Sequence, residues 1–273
     1  MIPPVAGEAI VNVLRVRDGT TNPDRDFVVV EAPLEIRLRG TSFATIMRTP
    51  GHDRELAAGF LFSERVLQSP ADLGTLAHCT DPDAVDRGNV VVATLTGPSA
   101  EALEDVLSVR RAVVATSACG VCGRLSIESL LSACAPLEPL EEIPGEVVVA
   151  LPSALRARQS MFDRTGGLHA AGLFALDGTL LDCAEDVGRH NAVDKIVGRL
   201  VLAEALPTSK TVLCVSGRTS FEIVQKAWLA GIGCVASVSA PSSLAIDLAA
   251  AARITLIGFV RGGSYNVYTT GRS

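Results

Sequence analysis

Short apolar runs alternate with helical patterns in the C-terminal part of the chain. Residues 211–215 are continuously apolar, which is typical of a strand that is buried on both faces. In residues 220–230 the apolar positions recur every three or four residues, as in an amphipathic helix. Alternation of strand and helix predicts right-handed crossovers and a parallel core sheet. The elements predicted next are a strand at 234–238, a helix at 242–252 and strands at 254–260 and 265–269.

A hairpin is predicted before this region. The dipeptide Asp177-Gly178 separates the apolar runs 168–176 and 179–183, and Asp-Gly in such a place is a strong hairpin signal. The hairpin adds antiparallel strands to the sheet. The neighbouring segments predict a strand at 146–150, a helix from Pro152 to about Phe162, and a helix at 191–202.

The N-terminal third has shorter elements. It predicts strands at 27–30, 34–38, 41–47 and 89–95 and helices at 53–62 and 101–107. The rhythm changes near residue 110, after which a strand at 112–115 and a helical pattern at 127–134 are predicted. We therefore predict a smaller α+β domain over residues 1–110. Residues 111–273 are predicted to form a larger α/β domain, with a mixed, mostly parallel sheet and helices on both faces.

Composition narrows the possible functions. Hydrophobic residues make up 48% of the 273 residues, which is enough for a sizeable buried core. The 24 basic and 30 acidic residues give a net charge of −6, which argues against a general nucleic-acid-binding protein, because phosphate contacts need clustered Lys and Arg. The N-terminal residues lack the pattern of a signal peptide, and no apolar stretch reaches the ~18 residues of a membrane helix. We expect a cytoplasmic protein that does not bind nucleic acid or a membrane.

Two of the seven cysteines, Cys119 and Cys122, form a closely spaced pair in the stretch SACGVCGR. An odd number of cysteines without a signal peptide argues against a disulfide scaffold. A structural zinc site needs four ligands, and no second pair in the sequence completes one, so we expect no bound metal. Four other cysteines lie in apolar strand or helix patterns and are predicted to be buried core residues: Cys134, Cys183, Cys214 and Cys234.

The surroundings of the cysteine pair favour a reactive thiolate. The loop is predicted to enter a helix, so Cys122 lies near a helix N-terminus, where free N–H groups stabilise a negative sulfur. Arg124 adds a positive charge, and Gly120 and Gly123 leave the sulfurs open to a partner. Such a thiol can attack a disulfide or accept a sulfane sulfur as a persulfide.

His169 begins the first strand of the predicted hairpin, and Gly166 and Gly167 before it leave room for a ligand. A zinc deaminase would need a glutamate two residues after its ligand histidine. Ala171 stands at that position, which argues against deaminase chemistry. A structural role for a single histidine entering a strand is the alternative.

His190 lies in the stretch EDVGRHNAVDK, between a predicted strand and a predicted helix. His190 and Asp186 flank a glycine at the end of the strand, where ligands bind in α/β sheets. The same stretch could instead be a solvated helix start, with Asn191 as N-cap and Asp194 completing a weak capping box. The residues alone leave both interpretations open.

Ser216, Gly217, Arg218 and Thr219 form another junction between a strand and a helix. Hydroxyls, free N–H groups and an arginine make an anion cradle there, although the Gly-Lys-Ser/Thr ending of a P-loop is absent. A similar junction at 239–243 follows the neighbouring strand, which suggests one shared ligand pocket. Ordinary serine N-caps would explain each junction singly.

The last candidate site is a glycine-rich segment near the C-terminus. The ring of Phe259 offers a face for stacking a base, and Arg261 could meet a phosphate or a guanine edge. A simple turn before the closing strand is the alternative. The segment consists of Phe259, Val260, Arg261, Gly262, Gly263 and Ser264.

Together these stretches resemble the formate dehydrogenase accessory sulfurtransferases, the FdhD family. The resemblance is carried, in order, by SACGVCGR, RTGGLHAAGLF, EDVGRHNAVDKIVG, VSGRTSFEIVQKAWLAGI and GFVRGG. It runs along most of the chain and is weakest before residue 30 and around residues 137–146.

The resemblance implies a maturation factor that accepts sulfur from a cysteine desulfurase as a persulfide. The sulfur would pass to the molybdenum or tungsten bis(pterin guanine dinucleotide) cofactor, which GDP mimics, before its insertion into formate dehydrogenase. Cys119 matches the persulfide cysteine, Cys122 its companion, and residues 259–264 the cofactor-binding segment. The resemblance also implies a cytidine-deaminase-like larger domain and a homodimer.

Two other functions fit the same residues. A dithiol oxidoreductase would form a reversible Cys119–Cys122 disulfide and would need no nucleotide. A cofactor-holding chaperone would bind the guanine dinucleotide without sulfur chemistry and would tolerate the loss of Cys119. The helix argument makes Cys122 the more acidic thiol, whereas the resemblance assigns the acceptor role to Cys119.

Overall fold

The structure is a computed structural model that describes residues 7–82, 86–107, 130–131 and 134–272. The predicted strand at 112–115, the cysteine loop and most of the predicted helix at 127–134 lie outside the described residues. The strands of the described part form three sheets, of two, four and six strands.

The two-stranded sheet is a long antiparallel hairpin of β1 (Glu8–Arg17) and β2 (Thr20–Val29). Positive φ angles of 48° at Asp18 and 77° at Gly19 form the tight turn between them. The sequence predicts only residues 27–30 of this hairpin as strand. Residues 20–26 are polar and include Pro23, so pairing with β1 holds them in a strand against their own propensity.

The four-stranded sheet follows. It contains β3 (Ala32–Leu38), β4 (Thr41–Arg48), β5 (Leu73–His78) and β6 (Val90–Leu95), in the order β4-β3-β6-β5. β3 and β6 are parallel, and the outer pairs are antiparallel. The three predicted strands of this region are confirmed, but β5 is not predicted because only Leu76 on it is buried. The helices here are α1 (Asp53–Ser63) and α2 (Gly97–Glu101), followed by helical residues 103–107.

The next two helices precede the large sheet. The predicted strand at 146–150 is wrong, because α3 (Gly145–Arg156) runs through it with Pro152 inside, and α4 (Ser160–Thr165) follows. The valine run 147–149 has high strand propensity, but propensity is a weak guide where packing decides. The buried positions Val148, Leu151 and Leu155 recur every three or four residues, so the segment packs as a helix.

The six-stranded sheet has the order β12-β11-β10-β9-β7-β8. Its strands, each within a residue or a few of a predicted strand, are β7 (His169–Ala175), β8 (Leu180–Asp186), β9 (Thr211–Val215), β10 (Cys234–Ser237), β11 (Thr255–Arg261) and β12 (Ser264–Thr270). Three helices alternate with these strands: α5 (Arg189–Leu202), α6 (Phe221–Leu229) and α7 (Ser243–Ala252).

This sheet is mixed, as predicted, and four of its six strands run in the same direction, although only two of its five neighbouring pairs are parallel. The parallel pairs among the described strands of this sheet are β9 with β10 and β10 with β11. β12 returns through a hairpin, β7 pairs with β9 in antiparallel register, and β8 pairs likewise with β7. The two hairpins therefore contribute antiparallel neighbours on both sides of a parallel centre.

Helices cover both faces of the six-stranded sheet, which confirms that prediction. Leu213 and Val215 of β9 join a core with α5, α6 and α7, and the same core reaches β3, β6 and α1. Val212 and Cys214 point to the other face and join a second core with α3. Successive side chains of β9 therefore point to opposite faces of the sheet, and both faces are buried.

A glycine contact joins α1 to α5. A Cβ atom at Gly59 would lie 1.9 Å from the carbonyl oxygen of Asp194, and one at Gly198 would lie 1.7 Å from that of Glu55. Only glycine permits backbones to approach so closely.

The predicted division of the chain near residue 110 stays a prediction. Among the described residues, no helix is long and apolar enough to cross a membrane.

Candidate functional site

Several predicted site residues meet at one edge of the six-stranded sheet, where β9, β10 and β8 end and β7 begins. Ala171 pairs with Val215, so His169 lies opposite the junction that follows β9. The backbone N–H of Ala170 donates to Ser216 Oγ at 2.9 Å, and the N–H of Ser216 donates to the Ala170 carbonyl at 3.0 Å. The junction of residues 216–219 is thus fixed beside the start of β7.

The two hydroxyl-rich junctions are neighbours. Thr219 forms an isolated parallel bridge with Pro241. Its N–H donates to the Ala240 carbonyl at 3.3 Å, and its carbonyl accepts from the N–H of Ser242 at 3.0 Å. Ser242 is an ordinary N-cap of α7, since its side chain accepts from the N–H of Ala245. The two junctions are therefore adjacent, as the sequence suggests. A ligand shared between them stays a prediction.

His190 lies in the first turn of α5 and faces the first turn of α6. Its Nε2 atom is 3.0 Å from Ser220 Oγ and 3.9 Å from a carboxylate oxygen of Glu222. Burial, together with the positive charges of Arg189 and Lys226, lowers the pKa of His190 from 6.5 to about 4. His190 is therefore a neutral hydrogen-bonding group at physiological pH.

His169 approaches the same place from β7. A Cβ atom on Gly217 would lie 3.3 Å from His169 Nδ1 and 3.6 Å from Arg189 Cδ, so these two side chains pack against the face of the glycine. Burial and then the charge of Arg189 lower the pKa of His169. Arg218 is exposed. Sequence reasoning missed Arg189, although its position at a strand's end beside His190 was a usable signal.

Most of the other charged groups in EDVGRHNAVDK form a buried structural network rather than a solvated helix start. Asp186 accepts from Lys195 Nζ at 2.7 Å and from the side chain of Asn191 at 2.8 Å. Asn191 is not the N-cap, because α5 begins at Arg189 with Gly188 before it. Asp194 is not part of a capping box either, since it pairs with the buried Lys226 and accepts from Ser63. Of this stretch, Arg189 and His190 face the candidate site.

The Phe259 segment begins beside the junction at residues 239–243 and ends in an exposed turn. The N–H of Phe259 donates to the Ser239 carbonyl at 3.1 Å, and its φ of 55° is a strained value for a residue with a large side chain. The Arg261 guanidinium lies 5.2 Å from the centre of the Phe259 ring. Val260 is 1% exposed, so its side chain belongs to the core and not to a ligand site. The exposed turn that completes the segment is formed by Arg261, Gly262, Gly263 and Ser264.

A cavity of about 370 Å³ adjoins the site on the side of α1 and β4. His190, Glu222 and Lys226 line it from α5 and α6, and Met47 and Glu64 line it from the N-terminal region. Its lining comes from β4, α1, α5 and α6 and includes the histidine that contacts Ser220.

The six cysteines for which the sequence makes a prediction fall into three groups. Cys119 and Cys122 lie outside the described residues. Cys214 and Cys234 are fully buried, as predicted, and burial raises the pKa of Cys214 to about 12. Cys134 and Cys183 are only partly buried at the edges of the two cores, which corrects the prediction that they are core residues.

Comparison with known proteins gives consistent matches over nearly the whole chain. The model of the FdhD/NarQ family matches residues 29–273. The sulfur carrier protein FdhD of Streptomyces coelicolor is 51% identical over 262 residues, which cover 94% of this chain and 92% of that protein. The protein of the same name from Anaeromyxobacter dehalogenans strain 2CP-C is 51% identical over 254 residues, 90% of this chain and 88% of that one.

A solved structure shares the fold. A crystal structure of a protein from Desulfotalea psychrophila superimposes with a TM-score of 0.74 at 23% sequence identity, and the match covers 96% of each chain. At this identity the likeness establishes the mixed α/β architecture. The implied likeness to cytidine deaminases stays a prediction.

Proposed function

Because the chain belongs to the FdhD/NarQ family, we propose that it is a sulfur carrier that acts in the maturation of formate dehydrogenase. The observation that carries the proposal is the 51% identity, over 94% of the chain, to a relative named sulfur carrier protein FdhD. The stretches that contain the cysteine pair, the two histidines and the Phe259 segment all fall within the family match at 29–273.

In this proposal Cys119 carries the sulfur and the chain is a sulfurtransferase with a persulfide intermediate. The Cys119 thiolate attacks the outer sulfur of a persulfide on a cysteine desulfurase, and the desulfurase cysteine leaves as a thiolate. One sulfur–sulfur bond forms as another breaks, so the step needs no external oxidant or reductant. Cys122 assists the transfer or resolves the persulfide.

The client of the sulfur is the molybdenum or tungsten bis(pterin guanine dinucleotide) cofactor. The sheet edge supports this part of the proposal, because a base needs an aromatic face and its phosphates need cations and free N–H groups. Phe259 supplies the face, and the junction of residues 216–219 with His169 and His190 supplies polar groups two strands away. In the same proposal the protein acts in the cytoplasm as a homodimer, and formate dehydrogenase receives the sulfurated cofactor.

Persulfide transfer is tested by intact-mass analysis. The full-length chain is incubated with a cysteine desulfurase and cysteine, and a mass increase of one sulfur is expected on the wild type and on Cys134→Ala. Cys119→Ala should gain no sulfur and should abolish formate dehydrogenase maturation in a complementation assay. It should still bind GDP, because the proposed nucleotide site does not include the thiol.

Each alternative function gives a different outcome. Normal maturation with Cys119→Ala would contradict the sulfur-carrier proposal and support a cofactor-holding chaperone. A Cys119–Cys122 disulfide that cycles with activity, together with no GDP binding, would support a dithiol oxidoreductase. Sulfur on Cys122 in place of Cys119 would exchange the roles of the two thiols and leave the sulfur-carrier function standing.

A further inference from the structure

The outer edge of strand β4 carries backbone groups that point away from its sheet. β4 is an end strand of the four-stranded sheet and pairs with β3 alone among the described strands. Pro33 of β3 lies opposite Met47 and has no N–H, so these two residues form a pair that exchanges no hydrogen bonds. Bonded and non-bonded pairs alternate along an antiparallel ladder, so the next non-bonded pair is Glu35 with Thr45. The backbone groups of Thr45 and Met47 therefore face outward.

Most of these outward groups are free. The carbonyl of Met47 accepts from the side chain of Asn191 at 2.8 Å. The N–H of Met47 and both backbone groups of Thr45 have no partner within the part of the chain that the structure describes, and both residues are exposed. The edge of β8 is better covered, because Arg199 donates to the carbonyl of Cys183 at 2.9 Å. An exposed edge with free N–H and C=O groups can take up a further strand.

The cavity of about 370 Å³ adjoins this edge. Thr45, Ile46 and Met47 all line it. Successive side chains of a strand point to opposite faces, so a cavity lined by three residues in a row meets the edge of the strand and not one face. Phe60 of α1 adds apolar surface to the lining, and Glu222 lines it from α6. A segment that pairs with β4 therefore has a cavity beside it that can receive its side chains.

The cavity has an excess of negative charge. Its charged lining residues, among those described, are Glu64, Asp194, Glu222 and Lys226. Asp194 and Lys226 lie 2.7 Å apart and are both buried, so their charges balance each other. His190 also lines the cavity, and its pKa of about 4 keeps it neutral at physiological pH. Two carboxylates remain in excess, and the side chain of Glu222 is 57% exposed, so the cavity favours a basic side chain.

We propose that the outer edge of β4 binds an extended segment of another protein as a fifth strand of the sheet, and that a lysine or arginine of this segment enters the acidic cavity. Hydrogen bonds to the backbone of Thr45 and Met47 supply affinity, and the cavity supplies selectivity. A second copy of this chain is a poorer occupant, because it brings the same acids to the groove. The inference goes beyond the proposed function and does not depend on it.

Amide hydrogen exchange of the full-length chain, measured by NMR, tests whether the edge is free. The amides of Thr45 and Met47 should exchange at least about tenfold faster than those of Ile46 and Arg48, which bond to β3. If Thr45 and Met47 are as well protected as Ile46, the edge is already occupied and the proposal is overturned. Protection of Thr45 that grows with protein concentration would identify a second copy as the occupant and overturn the choice of a different protein.

Binding is tested with a phage-displayed library of random peptides of about ten residues, enough to span β4. The library is selected on the full-length chain, and the most enriched peptide is synthesised and titrated. Thr45→Pro removes the outward N–H and leaves the bonds to β3, since an edge strand tolerates proline at such a position. It should weaken peptide binding at least about tenfold, whereas Thr45→Val, which keeps the N–H, should stay within about threefold of the wild type.

A second pair of variants tests the charge without altering the strand. The enriched peptides should contain lysine or arginine, and Glu222→Gln should weaken their binding about two- to fivefold. Glu101→Gln, which neutralises an exposed acid on α2, is the matched control and should leave binding unchanged. If the library yields no binder, or if the selected peptides bind Thr45→Pro and Glu222→Gln as well as the wild type, the edge of β4 is not a docking site. Either result leaves the sulfur-carrier proposal untouched, because that proposal is tested on Cys119.

Discussion

His190 shows how burial and neighbouring charge set the state of a single side chain. Its pKa is lowered from 6.5 to about 4 by burial, by Arg189 and by Lys226, while Glu222 acts in the opposite direction. The folded chain therefore holds the neutral ring across the range in which a free histidine becomes charged. The ring can then donate or accept one hydrogen bond with Ser220 without adding a second positive charge beside Arg189.

This state predicts a loss of stability in mild acid. Above pH 6.5 His190 is neutral in both the folded and the unfolded chain, so it makes no pH-dependent contribution. As the pH falls from 6.5 to about 4, the unfolded chain takes up a proton that the folded chain refuses, and the free energy of unfolding falls. Urea denaturation at a series of pH values, with His190→Gln as the control for carboxylate titration, should show the steeper fall in the wild type.

Titration of the His190 ring by NMR gives an independent measurement. A midpoint near 4 in the wild type, and a higher one in Arg189→Met, would agree with the two causes. A midpoint at 6.5 in the folded wild type would show that the ring is not held neutral.

Phe259 is the other residue with an unusual local state. Its φ of 55° places a bulky side chain in the left-handed region, which costs of order 1–3 kcal/mol. The hydrogen bond to Ser239 and the burial of Val260 hold the backbone there. The ring centre lies 5.2 Å from the Arg261 guanidinium, and the sequence predicts a surface for a base at this ring.

At the scale of elements, the packing of α1 on α5 depends on two glycines. Gly59→Ala would place a methyl group 1.9 Å from a backbone oxygen of α5, and backbone atoms cannot yield as a flexible side chain can. We expect a loss of about 1–3 kcal/mol or more in the free energy of unfolding, as is usual for overpacked cores. Gly88→Ala, whose new methyl group meets open space, should stay within about 0.5 kcal/mol of the wild type.

Denaturant unfolding of the two variants decides this prediction. A Gly59→Ala chain as stable as Gly88→Ala would mean that α1 and α5 are not in close contact. The midpoints of the two variants can be compared directly if their slopes with denaturant agree.

Elements whose own pattern coincides with their environment were predictable. The run at Thr211–Val215 is apolar throughout because β9 is buried on both faces, and Asp177-Gly178 marks the β7–β8 hairpin because that turn needs its backbone angles. Residues 20–26 give no strand signal because pairing with β1, and not their own propensity, holds them in a strand. The sequence predicts a strand in part of α3 because valines favour strands when neighbouring elements are not considered. Contacts with distant parts of the chain decided both cases.

Some residues of the candidate site can likewise be predicted from the sequence, and others cannot. Ser216, Gly217 and His190 carry local signals, namely a hydroxyl, a glycine and a histidine at a strand's end, and these identified the sheet edge in advance. Arg189 was not singled out, because an arginine at a helix start is common on solvated surfaces. Its significance comes from a buried Nε atom and from its approach to Gly217, which depend on the packing of β7, β9 and α5.

At the scale of the whole molecule, buried charges join the N-terminal segment to the large sheet. The N–H of Thr49 donates to Asp186 at 3.2 Å, and Lys195 Nζ donates to the Thr49 carbonyl at 3.3 Å. Asp186 and Lys195 are 0% and 2% exposed and lie 2.7 Å apart. A second buried pair, Asp194 with Lys226, receives a hydrogen bond from Ser63 on α1. These contacts fix the segment after β4 and helix α1 against the helices that also carry the candidate site.

The network predicts an asymmetry between losing one charge and losing both. Asp186→Asn leaves Lys195 buried without its counter-ion, and breaking a buried pair in this way costs about 3–5 kcal/mol. The double variant Asp186→Asn with Lys195→Met removes the orphaned charge and should recover part of that loss, although the hydrogen bonds to Thr49 and the Glu185 carbonyl are not restored. Urea denaturation of the two single variants and the double variant measures the coupling directly.

Glu141→Gln, which breaks the exposed Lys210–Glu141 pair, is the control and should cost at most about 1 kcal/mol. If Asp186→Asn costs no more than this control, the buried pair does not hold the N-terminal segment in place, and the position of α1 must depend on its other contacts, the Ser63–Asp194 hydrogen bond and the glycine contact with α5.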